Sequence, residues 1–326
     1  MRTIGWKYHL VGLLTPLSAT VALLLGGPFA ASTIVLLLLV YPMVELLLGK
    51  HEGPPNQDQP HIFTSLAIIH ALFVPLNVML LLFVIWKHGY TETSLFQMVS
   101  VGLSSGASGI VAAHELGHRR PHSFPWWCSQ IALFSVMYGH FTTEHNHTHH
   151  KHWAREEDPT SSPLGRGFYR HLFFTIPRQW MNALRIKPQL VVHLFLVELI
   201  FIGGLFSIEP RMVAGFLFQS LIAIILLEYV NYIQHHGLKR GVDERANARH
   251  AWESRHILSR ITLMELPLHP SHHLRASTPY QKLQLHDESP QLPYGYFTLF
   301  WMVMVPPLFH RLIHASLNPS SLQPVQ

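Results

Sequence analysis

Six apolar runs, each long enough to cross a bilayer, decide what this chain can fold into. A helix rises about 1.5 Å per residue, so ~20 apolar residues span the hydrocarbon core. The stretches 8–25, 29–48, 62–86, 95–113, 189–208 and 212–233 meet that test. Lipid offers no hydrogen bonds, so each is expected as a helix that satisfies its own backbone. The composition agrees: 13% of residues are charged, against roughly 25% in a soluble globular chain. The first two runs are separated by Gly26, Gly27 and Pro28, a tight hairpin. The second follows so closely that the first reads as a retained span and not a cleaved leader. The fourth is rich in Gly and Ser; Gly102, Gly106 and Gly109 would let neighbouring helices approach closely.

Charge orients the bundle. The loops 26–28, 87–94 and 208–211 hold only Lys87 and Arg211, whereas the other side takes Arg119, Arg120, Lys151, Arg155, Lys239 and Arg240. By the positive-inside rule the N-terminus is cytoplasmic, and so are two long segments, 114–188 and 234–292. The net charge of +5 is explained by topology. No basic stripe interleaved with stacking aromatics suggests nucleic acid. Within the cap, 125–141 is apolar but short, as a re-entrant or interfacial helix would be. Residues 167–187 mix aromatics with Arg and Lys, as a helix lying on the membrane surface does. A further apolar stretch, 293–315, has no assigned depth.

Histidine is the second anomaly, with 26 residues against 23 Lys plus Arg. Cys128 is the single cysteine, so neither an internal disulfide nor a thiolate cluster can form, and any metal needs nitrogen or oxygen ligands. Four clusters stand out, all on the inner side. "HELGHRR" puts His114 and His118 at i and i+4, on one helical face. "EHNHTHH" holds His145 and His149 at the same spacing, with His150 adjacent and able to face a second ion. "LHPSHHL" brings His269, His272 and His273; Pro270 suits a first helical turn, with His269 at the cap. "NYIQHHGL" ends the sixth span with His235 and His236. His140, His147, His152 and His236 adjoin the clusters as candidate supporting residues.

An HExxH pair alone also suits a zinc protease with Glu115 as general base, but that reading leaves three clusters idle. A metal transporter and a purely structural membrane protein are further alternatives; transporters place their ligands near the bilayer midplane, and here nearly all lie beyond the helix ends. About four histidines satisfy a structural zinc and three a catalytic one, so the count fits two ions better. Glu115, Glu144, Glu157 and Asp158 could offset their charge or orient ligand imidazoles.

Together these motifs resemble the integral-membrane alkane 1-monooxygenases (alkane hydroxylases), within the membrane fatty acid desaturase and hydroxylase superfamily. "HELGHRR", "EHNHTHHKH", "NYIQHHGL", "LPLHPSHHLRASTPYQKL" and "SPQLPYGY" occur in the family's order. "PMVELLLGKHEGPPN" matches an acidic–Gly–acidic–Pro-Pro stretch through Glu45, Gly49, Glu52, Pro54 and Pro55, and "EDPTSS" an Asp-Pro segment. The resemblance covers roughly 40–310. It implies one all-α integral membrane domain over 1–326, with six transmembrane helices and a cytoplasmic histidine-rich di-iron cap, in a bacterial inner membrane. Carried over, the ligands of two iron ions are His114, His118, His145, His149, His150, His235, His269, His272 and His273, with Glu115, Glu144, Asp158 and Gln234 behind them. The implied reaction inserts one atom of O2 into a C–H bond of an alkyl chain, at the terminal methyl. The implied electron source is rubredoxin or ferredoxin with an NAD(P)H-dependent reductase. Sister activities in the superfamily are desaturation and decarboxylation. The chain departs from the family at Gln234, His236 and Ser271, where Glu, Tyr and Asp are usual. Two possible negative charges near the metals are thereby lost.

Overall fold

The computed structural model describes residues 3–317, and the element order is helical throughout, with no strand among them. Six helices are long and apolar enough to cross a membrane: α1 Trp6–Leu25, α2 Gly27–Leu48, α3 Pro60–His88, α4 Ser94–Gly117, α8 Pro188–Ile208 and α9 Pro210–His235. Each coincides with an expected span. Between and after them lie α5 (Phe124–Phe134), a helical stretch 141–152 (α6), α7 (Phe168–Ile186), α10 (Ile257–Thr262), α11 (His269–Leu274), α12 (Tyr296–Val303) and α13 (Pro306–Ser316). The protein is integral to the membrane. Leu24, Leu47, Ile200 and Phe206 are more than half exposed on the outside of the bundle, a belt that only lipid would cover.

Span α4 sits in the middle. It is 72% buried, against 17% for the peripheral α8. Its glycines explain that position. A Cβ on Gly102 would stand 2.6 Å from Ile222 Cβ, and one on Gly106 2.8 Å from Leu226 Cβ, so only glycine lets α9 pack this closely. Polar pairs lie inside the bundle: His70 Nδ1 is 2.6 Å from Ser108 Oγ, and Asn77 accepts from Thr20 Oγ1 at 2.8 Å.

Six crossings return the chain repeatedly to the end where it began. Residues 3–5, the 49–59 linker, 118–187 and 236–317 therefore share one end, and there they form the cap. Buried Arg260 is its keystone. It pairs with Glu265 at 2.6 Å and donates to the carbonyls of His51 (2.7 Å) and Gly53 (2.9 Å). Glu45 ties the end of α2 to the cap by accepting from Thr298 N at 2.8 Å and from Ser259 Oγ.

Two apolar stretches differ from a continuous helix. Helix α5 ends at Phe134, so 125–141 is a short helix followed by turns. Residues 293–315 divide into α12 and α13 at Pro306 and Pro307, because proline cannot continue a helix through its interior. Neither piece could cross a bilayer.

Candidate metal centre

The nine histidines come from four elements that meet under the cap. Helix α4 carries His114 in its last turn and ends with His118 as its C-cap. Stretch α6 supplies His145, His149 and His150, α9 ends on His235, and α11 supplies His269, His272 and His273. They sort into two sets, the second wholly buried. In one, His114, His118, His145, His150 and His272 each offer a nitrogen within 4.8 Å of the others; in the other, His149, His235, His269 and His273 do the same.

The partition of neighbours was not visible in the spacing. Residues His145–His149 form a π-helical turn, with bonding to i+5 in place of i+4. His145 therefore meets His150, five residues on, with Nε2 atoms 3.0 Å apart, while His149 swings into the other set. In α11 the adjacent His272 and His273 likewise face different sets. The cap residue of α11 is Leu268, with His269 already inside the helix.

These donors fit metal ions on a test of hydrogen-bond capacity. His150 Nε2 faces both His145 Nε2 (3.0 Å) and His272 Nε2 (3.0 Å). His269 Nε2 faces both His235 Nε2 (2.9 Å) and His273 Nε2 (2.8 Å). An imidazole nitrogen carries either one hydrogen or one lone pair, so it cannot satisfy two such partners at once. A shared cation can: nitrogens ~2.1 Å from one ion and at right angles to each other are about 3.0 Å apart. His118 Nε2 and His149 Nε2 are buried without any partner. Burial first, then the His149 and Arg119 charges, lower His118 to about 4. Burial likewise holds His145, His150, His269, His272 and His273 well below their ordinary value. All stay neutral near pH 7, the state a metal ligand needs.

Supporting residues fix ring orientation. Asp158 Oδ2 accepts from His149 Nδ1 at 2.9 Å, with Thr160 Oγ1 2.6 Å from the same nitrogen. Burial alone would raise the Asp158 carboxyl, but the His149 charge and hydrogen bond outweigh it and hold the group below the usual carboxylate range. Trp153 stacks on His273 (4.5 Å, 25°) and Phe141 on His145 (4.8 Å, 20°); neither carried a sequence signal beyond adjacency to the clusters, whereas Thr160 lies in the matched "EDPTSS" segment. Glu115 pairs with Arg119 at 2.6 Å and belongs to neither donor set. Burial, then the Asp158 charge, raise the carboxyl of Glu144 well above its ordinary value. Gln234 donates to Tyr296 Oη at 3.0 Å. At the other departures, His236 Nδ1 lies 3.2 Å from Ser162 Oγ, and Ser271 Oγ accepts from Gln284 N at 2.9 Å. His147 is bonded to the Thr143 carbonyl and His140 stacks on Trp180; with His152 and His236 they lie outside both sets.

A cavity opens from the histidines into the bundle. His114, His145 and His269 line its inner end, together with Asn231 and Gln234. Gly106, Val111 and Val230 line it too, and the same three line a second, apolar cavity among Leu37, Leu103, Leu226, Phe297 and Phe300. The wider grooves around Gln57, Arg275 and Gln284 lie on the cap surface and touch none of the nine histidines.

Comparison with known proteins agrees with this architecture. The fatty acid desaturase family model matches residues 93–303. Alkane 1-monooxygenase 2 of Alcanivorax borkumensis is 30% identical, over 84% of this chain and 79% of the relative. The chain belongs to the alkane 1-monooxygenase family. Alkane 1-monooxygenase 1 of Pseudomonas aeruginosa is 27% identical over 94% of this chain and 88% of its own. The xylene/toluene monooxygenase hydroxylase component of Pseudomonas putida is 26% identical over 66% and 62%. As a member of the alkane 1-monooxygenase family, the protein is an oxidoreductase with histidine clusters built for metal.

Proposed function

We propose that this protein is a membrane non-haem di-iron monooxygenase. It inserts one oxygen atom of O2 into a terminal methyl C–H bond of an alkane or other alkyl-chain substrate. The observation that carries this reading is the two-set division of nine imidazoles at the mouth of an apolar cavity. His114, His118, His145, His150 and His272 hold one iron, and His149, His235, His269 and His273 the other. When bound, the two irons supply O2 activation, so that with two electrons and two protons one oxygen atom enters the substrate and the other leaves as water.

The chain's own residues do the rest. Asp158 holds His149 with its Nε2 lone pair toward the ion. Phe141 and Trp153 keep the rings of His145 and His273 from turning. The wall shared by the two cavities at Gly106, Val111 and Val230 would seat an unbranched chain away from water. That wall offers no hydrogen bond to a hydrocarbon, so the reacting carbon is chosen by depth. Each buried CH₂ contributes about 0.8 kcal/mol, which makes chain-length preference graded. Electrons come from rubredoxin or ferredoxin and an NAD(P)H-dependent reductase. The cap and N-terminus face the cytoplasm of a bacterial inner membrane, in keeping with the Lys and Arg asymmetry.

The test is conversion of alkanes, alkylbenzenes and fatty acids under ¹⁸O2, with product analysis. A labelled primary alcohol is expected. An alkene or unsaturated acid without label would move the chain to a desaturating or decarboxylating sister activity. Absence of any O2-dependent product from iron-loaded enzyme with its reductant would overturn the reading.

A further inference from the structure

Outside the metal centre, helix α7 and the loop before it carry a concentrated set of unpaired charges. Residues 159–197 contain Arg166, Arg170, Arg178, Arg185 and Lys187 and no Asp or Glu. Two of these converge on one aromatic ring. The guanidinium carbons of Arg178 and Arg166 lie 3.6 Å and 4.4 Å from the centre of Phe174. Burial, then the charges of Arg170 and Arg178, lower Arg166 from its ordinary value, so the three cations are close enough to repel one another. Among the described residues none of the three has a carboxylate partner; the ion pairs of this chain engage other arginines, such as Arg119, Arg155, Arg211, Arg255 and Arg260.

The surroundings say where the missing anion comes from. Helix α7 buries His171, Thr175, Gln179 and Ala183 on one side, where Gln179 Nε2 donates to Glu228 of α9 at 2.8 Å. Its other side exposes Phe173 (86%), Tyr169 (51%) and Met181 (45%) beside the arginines. A soluble anion would not call for a bare phenylalanine there. Helix α7 ends at Ile186 and span α8 begins at Pro188, which sets α7 at the membrane surface, at the level of lipid headgroups.

We propose that Arg166, Arg170 and Arg178 form a binding site for the phosphate diester of an anionic phospholipid, with Phe173 and Tyr169 seated among the adjoining acyl chains. The guanidinium fork matches phosphate oxygens in a way a lysine ammonium does not. The site reaches the metal-bearing helix through two bonds, Gln179 to Glu228 and Tyr232 Oη donating to the carbonyl of Arg166 at 2.8 Å. It does not depend on the identity of the reaction.

Lipid competition on the purified full-length holoenzyme tests it. Native mass spectrometry in non-ionic detergent, with equal phosphatidylglycerol and phosphatidylcholine, reads the ratio of the two lipids retained. The wild-type protein retains mainly phosphatidylglycerol. The variant Arg166→Gln/Arg170→Gln/Arg178→Gln loses that preference by about tenfold or more. A control losing as much charge from the cap, Lys239→Gln/Arg245→Gln/Arg249→Gln, keeps it. Arg170→Gln/Arg178→Gln, which changes only exposed residues, is the second variant should the triple fail to fold, and it shows the same direction. Soluble glycerophosphoglycerol does not displace the lipid. An unchanged preference in the arginine variants overturns the proposal, as does displacement by the soluble headgroup, which would mark a free-phosphate site. Loss of binding to an acidic electron-carrier protein with lipid preference intact would also overturn it, by assigning the arginines to a protein partner.

Discussion

Asp158 offers the sharpest perturbation of the centre, because it touches one histidine set and not the other. Its carboxylate accepts from His149 Nδ1 (2.9 Å), Ser161 Oγ (2.7 Å), Thr160 N (3.1 Å) and Thr160 Oγ1 (2.8 Å). Asp158→Asn keeps the shape but removes the charge that makes His149 a better donor. Loss of a carboxylate behind a ligand histidine costs on the order of 10–100-fold in metal affinity, or about 1.4–2.7 kcal/mol. His149 lies in the four-histidine set, so the loss should fall there alone. The assay is anaerobic iron loading against a graded chelator, with metal per chain read after desalting and helicity checked by circular dichroism. The variant is expected to shed one iron at a chelator strength that leaves the wild type with two. Retention of both ions at wild-type affinity would refute the assigned role of Asp158. Loss of both in a single step would refute the independence of the two sets.

Three other outcomes are expected. His145→Ala removes a donor from the five-histidine set and should abolish turnover with reduced iron per chain; full iron and activity would remove His145 from the ligands. Val230→Phe places a ring at the wall shared by the two cavities, and overpacking of about 1–3 kcal/mol should cut turnover of long alkyl substrates roughly tenfold while iron content holds. Arg260→Ala leaves Glu265 buried and uncompensated, at a cost of about 3–5 kcal/mol; thermal unfolding should shift markedly downward, and an unchanged midpoint would deny Arg260 its place in the cap.

Much of this architecture is legible in the sequence because lipid is an exacting solvent. A span must be about 20 residues long and apolar, so the six helices follow from composition alone. Span α4 extended further than its apolar run, to Gly117, because the histidine motif continues the same helix. The histidines are equally plain as a set. How they divide is not, since a π-helical turn over 145–149 redirects His149 and His150 without changing a letter of the motif. The ring contacts of Trp153 and Phe141 and the role of Thr160 within "EDPTSS" were also hidden. Their contacts depend on where the loop after α6 returns, and no local period encodes that. The stretch 293–315 reads as one apolar segment until Pro306 and Pro307 are weighed against its length.

Anomalous scattering at the iron edge, on crystals of the iron-loaded protein, tests the central claim most directly. Two peaks are expected, one among His114, His118, His145, His150 and His272, the other among His149, His235, His269 and His273. A single peak, or density at the zinc edge with none at iron, would contradict a di-iron centre in this fold.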